Sequence, residues 1–186
     1  MQILEKTREE IKKRAETMSD FLRMEYLELV SAKNTNPEIL KYCYLELSML
    51  YEKNIMYIEA IKYLKKYEEI TTVRKDLTEA YIKEAELLIK GGLYERMDSL
   101  YKKAIENLKE MEKFELKRRL VDLYKEEISK LEKKDKNMQA LKAYEKLMAW
   151  LNDDEKLEVK KKLYVLYRKL GKVRESLLLG RELGID

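Results

Sequence analysis

Four pairs of neighbouring carboxylates, Glu9-Glu10, Glu68-Glu69, Glu126-Glu127 and Asp153-Asp154, are the nearest this sequence comes to acid/base machinery. Neighbours on a helix point to different faces, so none of them makes a general acid/base pair by itself. The chain has no His, which removes the commonest metal ligand and the commonest general base together. Ser19, Ser99 and Ser129 therefore lack the imidazole that activates a serine nucleophile. The lone Cys43 cannot supply the ligand set of a zinc site and cannot close an internal disulfide. Gly91-Gly92 is not followed by the Lys-Ser/Thr of a phosphate loop. The expectation is a protein that is not an enzyme and needs neither cofactor nor metal.

The elements that carry these residues are helical. Of 186 residues, 41% are charged, with 1 Pro and 5 Gly. Runs of β-branched residues are absent, and every long stretch has helical spacing, so the fold class expected is all-α. The net charge of +4 has a location: residues 157–186 hold 8 basic and 4 acidic side chains, while the rest of the chain is balanced. Such an excess is either a solvated face or a docking patch for an acidic partner or a phosphate backbone. The longest aliphatic run, Leu177-Leu178-Leu179, is far short of a membrane span, and the N-terminus lacks an apolar signal core. With a single thiol fitting a reducing compartment, the location expected is cytoplasmic.

Residues 1–33 carry an apolar stripe through Leu4, Ile11, Met18 and Ala15, Leu22, Leu29. They read as one helix, or as a pair broken near Met18 with Ser19-Asp20 capping the second. Asn34-Thr35-Asn36-Pro37 is the strongest break, since Asn and Thr favour caps and Pro suits the first helical position. Beyond it the spacing predicts helices over 38–53, 56–70, 78–90 (capped by Asp76 or Thr78), 94–111, 114–133, 137–151, 154–170 and 173–183. That makes 9 or 10 helices in a single domain spanning 1–186: an N-terminal segment over 1–36, then helix pairs over 37–72, 77–111, 114–151 and 154–184.

The pairs share a phrase. Tyr51 precedes Ala60 by nine residues, as Tyr167 precedes Ser176, a bulky residue ending one helix and a small one opening the next. Close antiparallel packing needs a small side chain at the contact. Ala60, Ala140 and Ser176 supply it, while Met97 stands where a small residue is expected; the steps are 37, 43 and 36 residues. Together with Tyr44, Leu47, Ser48, Tyr57, Ala85, Gly92, Tyr94, Tyr101, Ala104, Tyr144 and Gly171, this pattern resembles the tetratricopeptide repeat family, in divergent form, over roughly residues 37–184.

The resemblance implies a right-handed α-solenoid of antiparallel helix pairs, a scaffold whose first helices line a groove for a peptide or amphipathic helix of another protein. Carried over, the groove residues are Tyr42, Leu45 and Met49; Ile82, Lys83 and Glu86; Lys125; and Lys161, Lys162, Val165 and Arg168. Leu45, Met49, Lys83, Asp122 and Glu126 stand where one subset of the family grips a chaperone-tail carboxylate, so that clamp is absent. A solenoid also needs a polar end. Leu177, Leu178, Leu179 and Leu183 leave an apolar one, and a homodimer through this end is expected. The alternatives are a self-assembling structural protein, or a nucleic-acid-associated one using the basic C-terminal pair. Against the latter, most tyrosines fall at helix-packing positions rather than on stacking platforms.

Overall fold

The computed structural model describes residues 3–185. Among these residues there are ten α-helices and no strand. The all-α expectation holds.

Residues 1–33 were expected to hold one helix or a pair, and the described part of that segment forms a pair. In α1 (Arg8–Glu16), Thr7 accepts from the Glu10 backbone N–H while the Glu10 carboxylate reaches back to the Thr7 N–H, a reciprocal capping box. Ser19 sits at the N-cap of α2 (Asp20–Lys33) in extended conformation. Asn36 caps α3 (Pro37–Lys53), with Pro37 at a position where a missing N–H costs nothing. α4 (Tyr57–Ile70) follows. α5 (Arg74–Lys90) starts earlier than its sequence suggests: Val73 is the N-cap, and neither Asp76 nor Thr78 caps it. The next helix opens with a 3-10 turn at Tyr94–Arg96 and becomes α6 (Met97–Ile105). α7 (Glu110–Lys133), α8 (Asn137–Leu147, continued by a 3-10 turn at Met148–Trp150), α9 (Asp153–Lys169, capped by Asn152) and α10 (Val173–Leu183) complete the chain.

The chain falls into two compact units, one running up to Gly91 and including Arg96–Asn107, the other made of Gly92–Glu95 and the residues from Leu108 on. In the first unit, α2 packs on α3, α3 on α4, α4 on α5 and α5 on α6. In the second, α7 packs on α8, α8 on α9 and α9 on α10. Each helix thus rests on its neighbours in sequence, as a stacked repeat requires.

The first unit's core joins Ile11 and Ala15 of α1, Tyr26, Leu27 and Val30 of α2, and Cys43, Leu47 and Leu50 of α3, all nearly or fully buried. Burying each Leu there contributes about 2 kcal/mol. Burial pushes the Cys43 thiol up to about 12, so it behaves as a small core side chain. One carboxylate stitches three helices: Glu28 of α2 accepts from the hydroxyls of Tyr51 on α3 (2.7 Å) and Tyr63 on α4 (2.6 Å). The two rings stack at 5.5 Å.

Each hairpin turns on one left-handed residue. Ile55, Gly92, Asp135 and Gly171 have φ between 54° and 70°. Three of these turns close by the same bond, from the next N–H back to a carbonyl five residues earlier: Met56 to Tyr51 (2.9 Å), Lys136 to Leu131 (2.9 Å) and Lys172 to Tyr167 (2.8 Å). Five residues beyond each left-handed residue lies the contact position: Ala60, Met97, Ala140 and Ser176, all buried. Where Met97 replaces a small residue, the second helix opens with a 3-10 turn at Tyr94–Arg96.

Candidate partner-binding face

The sequence places the candidate site on the first helix of each pair, and each unit presents its own stretch. In the first unit, Leu45 and Met49 stand one helical turn apart on α3, 36% and 50% exposed. Glu52, a turn further on, accepts from Lys83 (2.7 Å) and Lys90 (2.8 Å) of α5. These ion pairs link the first helices α3 and α5. Burial opposes the charge on Glu52, but the two ammonium groups outweigh it and hold its carboxyl below the usual carboxylate range. Burial likewise opposes charge on Lys90, and Glu52 outweighs it, so that ammonium group is held above its ordinary value. Ile82 is half-buried on the same helix as Lys83.

Two of the expected groove residues do not face solvent. Tyr42 is buried in the first unit's core, with the Arg8 guanidinium 5.6 Å over its ring. Glu86 is buried as well, 3.8 Å from Lys83. The face available to a partner is narrower than the sequence pattern implies, because residues three and four apart on a helix share a face only approximately.

In the second unit, Lys125 of α7 donates to Glu155 of α9 at 2.8 Å, again joining two first helices. Lys125 is the main cause of the lowered pKa of Glu155. Val165 is 61% exposed on α9, with Lys161 and Lys162 one turn before it. Arg168 lies 5.8 Å over the Tyr164 ring. Of the C-terminal leucines, Leu177 and Leu178 are exposed, whereas Leu179 and Leu183 are half-buried.

The hairpin geometry recurs from pair to pair. A left-handed turn residue is followed, at a constant offset, by a buried contact residue that is small in three of the four pairs, and each helix packs on the next within its unit. The fold is TPR-like. No protein-family model matches the sequence, and no curated protein matches it. Among solved structures, a Podosopora anserina protein with nearly identical TPR-like repeats of kinesin-light-chain type is 17% identical in a substituted form, with a TM-score of 0.45 over 95% of this chain and 90% of that one. Its other form gives 16% identity and a TM-score of 0.44 over the same shares. BtubC (BKLC) from P. vanneervenii is 13% identical, with a TM-score of 0.37 over 95% of this chain and 85% of that one.

One feature of the TPR-like repeats was not legible in the sequence. A cavity of about 210 Å³ in the first unit is lined by Lys65, Glu68 and Glu69 of α4, Glu84 of α5, and Arg96, Ser99, Leu100 and Lys103 at and beyond the start of α6. Glu84 is buried and accepts from Arg96 at 2.7 Å. Oε1 of Glu68 is sealed from water and accepts no hydrogen bond. Burial first, and the Glu84 carboxylate second, push the Glu68 carboxyl up to about 7. The sequence shows Glu68-Glu69 as helix neighbours. The relevant partner, Glu84, lies on another helix, and the only signal for it is a Glu between the apolar positions Ala80 and Leu87. Among the described residues no group of three His, Cys, Asp or Glu side chains is placed to hold a metal ion, and no helix is long and apolar enough to cross a membrane.

Proposed function

We propose that this protein is a non-catalytic scaffold that binds a peptide segment or amphipathic helix of another protein along the first helices of its repeats, in a cytoplasmic setting. The observation that carries this reading is the α3/α5 face. Leu45 and Met49 form an exposed apolar stripe on a helix that the Lys83–Glu52–Lys90 ion pairs link to α5. Rigid helices with a short apolar stripe and a charged rim suit helix-in-groove or extended-peptide recognition, because little order is lost on binding. In the second unit, Val165 among Lys161, Lys162 and Arg168 offers a similar stripe with a basic rim.

The experiment is selection from a displayed peptide library on the full-length protein, followed by NMR mapping of the selected peptides. The expected result is that methyl resonances of Leu45, Met49 and Ile82, or of Val165, shift on titration. A Leu45→Asp/Met49→Asp variant that keeps its helical circular dichroism should lose those peptides that map to α3. Peptides that map only to other surfaces, or bind that variant and a Val165→Asp variant as well as wild type, would refute the reading.

A further inference from the structure

The repeat register singles out Leu177. Six residues beyond the left-handed turn residue stands Ile61 in the first pair, Leu141 in the third and Leu177 in the last, while the second pair has the exposed Asp98 there. Ile61 is 5% exposed on α4, against which α5 packs, and Leu141 is 1% exposed on α8, against which α9 packs. Leu177 is 48% exposed on α10, and Val173, one turn before it, is 64% exposed. The register position that is buried at Ile61 and Leu141 is therefore occupied on α10 by an apolar side chain that is exposed. Tyr164, Arg168, Gly171, Val173, Ser176 and Leu177 enclose a cavity of about 350 Å³ there.

The charge around this face is mainly basic, the acidic groups near it being Glu145, which accepts from the Tyr167 hydroxyl at 2.9 Å, and Glu175 of α10. Of the other α9 cations, Lys156 pairs with Asp153, Lys160 with Glu182, Lys161 with Glu158 and Lys169 with Asp135, whereas Lys162 has no acidic partner within ion-pair distance among the described residues. Arg168, Lys172 and Arg174 have no acidic partner within ion-pair distance among the described residues. Arg168 and Lys172 lie instead over the rings of Tyr164 and Tyr167, at 5.8 and 5.7 Å. A two-fold contact with a second copy through this face would set these cations against one another.

We propose that the α9/α10 face docks an acidic amphipathic helix of another protein, with its apolar ridge over Val173 and Leu177 and its carboxylates against Arg168, Lys172 and Arg174. A helix is the form of occupant the register calls for, since α4 and α8, where the equivalent Ile61 and Leu141 are buried, each have a further helix packed against them. Carboxylates are the complement the three cations call for.

The test uses a labelled Ala-based helical peptide of about 18 residues with one leucine ridge and Glu elsewhere on the polar face. A twin carries Lys for Glu. Binding to the full-length protein is read by fluorescence anisotropy at low and high salt. The Glu peptide should bind at least about tenfold tighter than the Lys twin, with affinity falling as salt rises. Leu177→Asp should abolish binding, and Arg168→Glu/Arg174→Glu should reverse the preference. Leu177 is exposed, so its variant should keep the wild-type circular dichroism. Equal binding of both peptides, undiminished binding to Leu177→Asp, or no binding of the Glu peptide at about 1 mM would each overturn the proposal. So would a wild-type dimer in sedimentation that Leu177→Asp dissolves, which would make the occupant a second copy.

Discussion

Replacing Glu68 by Gln should remove a pH dependence that this chain displays with little interference. The Glu68 carboxyl is raised from 4.5 to about 7 by burial and by Glu84. The folded state therefore holds a proton that the unfolded chain gives up at lower pH. Below pH 4.5 both states are protonated and nothing is lost. Between pH 4.5 and about 7 stability falls, and above 7 it is flat again. Converted at about 1.4 kcal/mol per pH unit, the ceiling is about 3 kcal/mol. Glu68 is only half-buried, so solvent screening reduces this to roughly 1–2 kcal/mol. For a chain of this size that is roughly 3–6 °C in Tm. The window is clean. There is no His, and the carboxyls held low (Glu5, Glu10, Glu52, Asp135 and Glu155) lose their stabilisation only as pH falls through and below the ordinary carboxylate range. Thermal melts from pH 5 to 8 should show the wild type losing those degrees and Glu68→Gln staying level. A wild type whose Tm is flat or rises over this range, or a Glu68→Gln variant with the wild-type slope, would refute the argument.

Other substitutions probe the turns and contacts. Ile55→Gly should raise stability by about 1 kcal/mol in denaturant unfolding, because a β-branched residue at φ 62° carries a steric cost that exceeds the added chain entropy of Gly. Glu28→Ala should cost about 2–3 kcal/mol, since it leaves the Tyr51 and Tyr63 hydroxyls without their acceptor; restoring much of it with Tyr51→Phe/Tyr63→Phe in the same background would confirm the cause. Ala140→Leu should destabilise by about 1–3 kcal/mol through overpacking at a fully buried helix contact, read as a lower denaturant midpoint.

Where local chemistry decides the backbone, the fold could be read before it was seen. Asn36-Pro37, Asn152 and Gly171 mark helix ends through caps and turn conformations that depend on those residues. Where tertiary packing decides, it could not. α5 begins at Arg74 with no capping side chain, so its start leaves no local mark. Ile55 takes a conformation its side chain disfavours, so a turn that Gly92 and Gly171 announce is silent there. In the candidate site, Leu45, Met49 and Val165 do lie on exposed helix faces, while Tyr42 and Glu86 do not. The burial of those two depends on α1 and on the packing around α5, which a one-helix wheel does not contain.

The unequal steps between repeats have a consequence for how such a chain tolerates change in length. α7 runs 24 residues where α9 runs 17, a surplus of about two helical turns. A surplus of that size brings the helix back to nearly the same rotational phase. Glu155 can therefore still meet Lys125, and the contact position at Ala140 keeps its distance from the turn. Insertions and deletions in these helices are thus tolerated in quanta. A pair of turns slides in without rotating either face, whereas two or five residues would swing the apolar stripe into water.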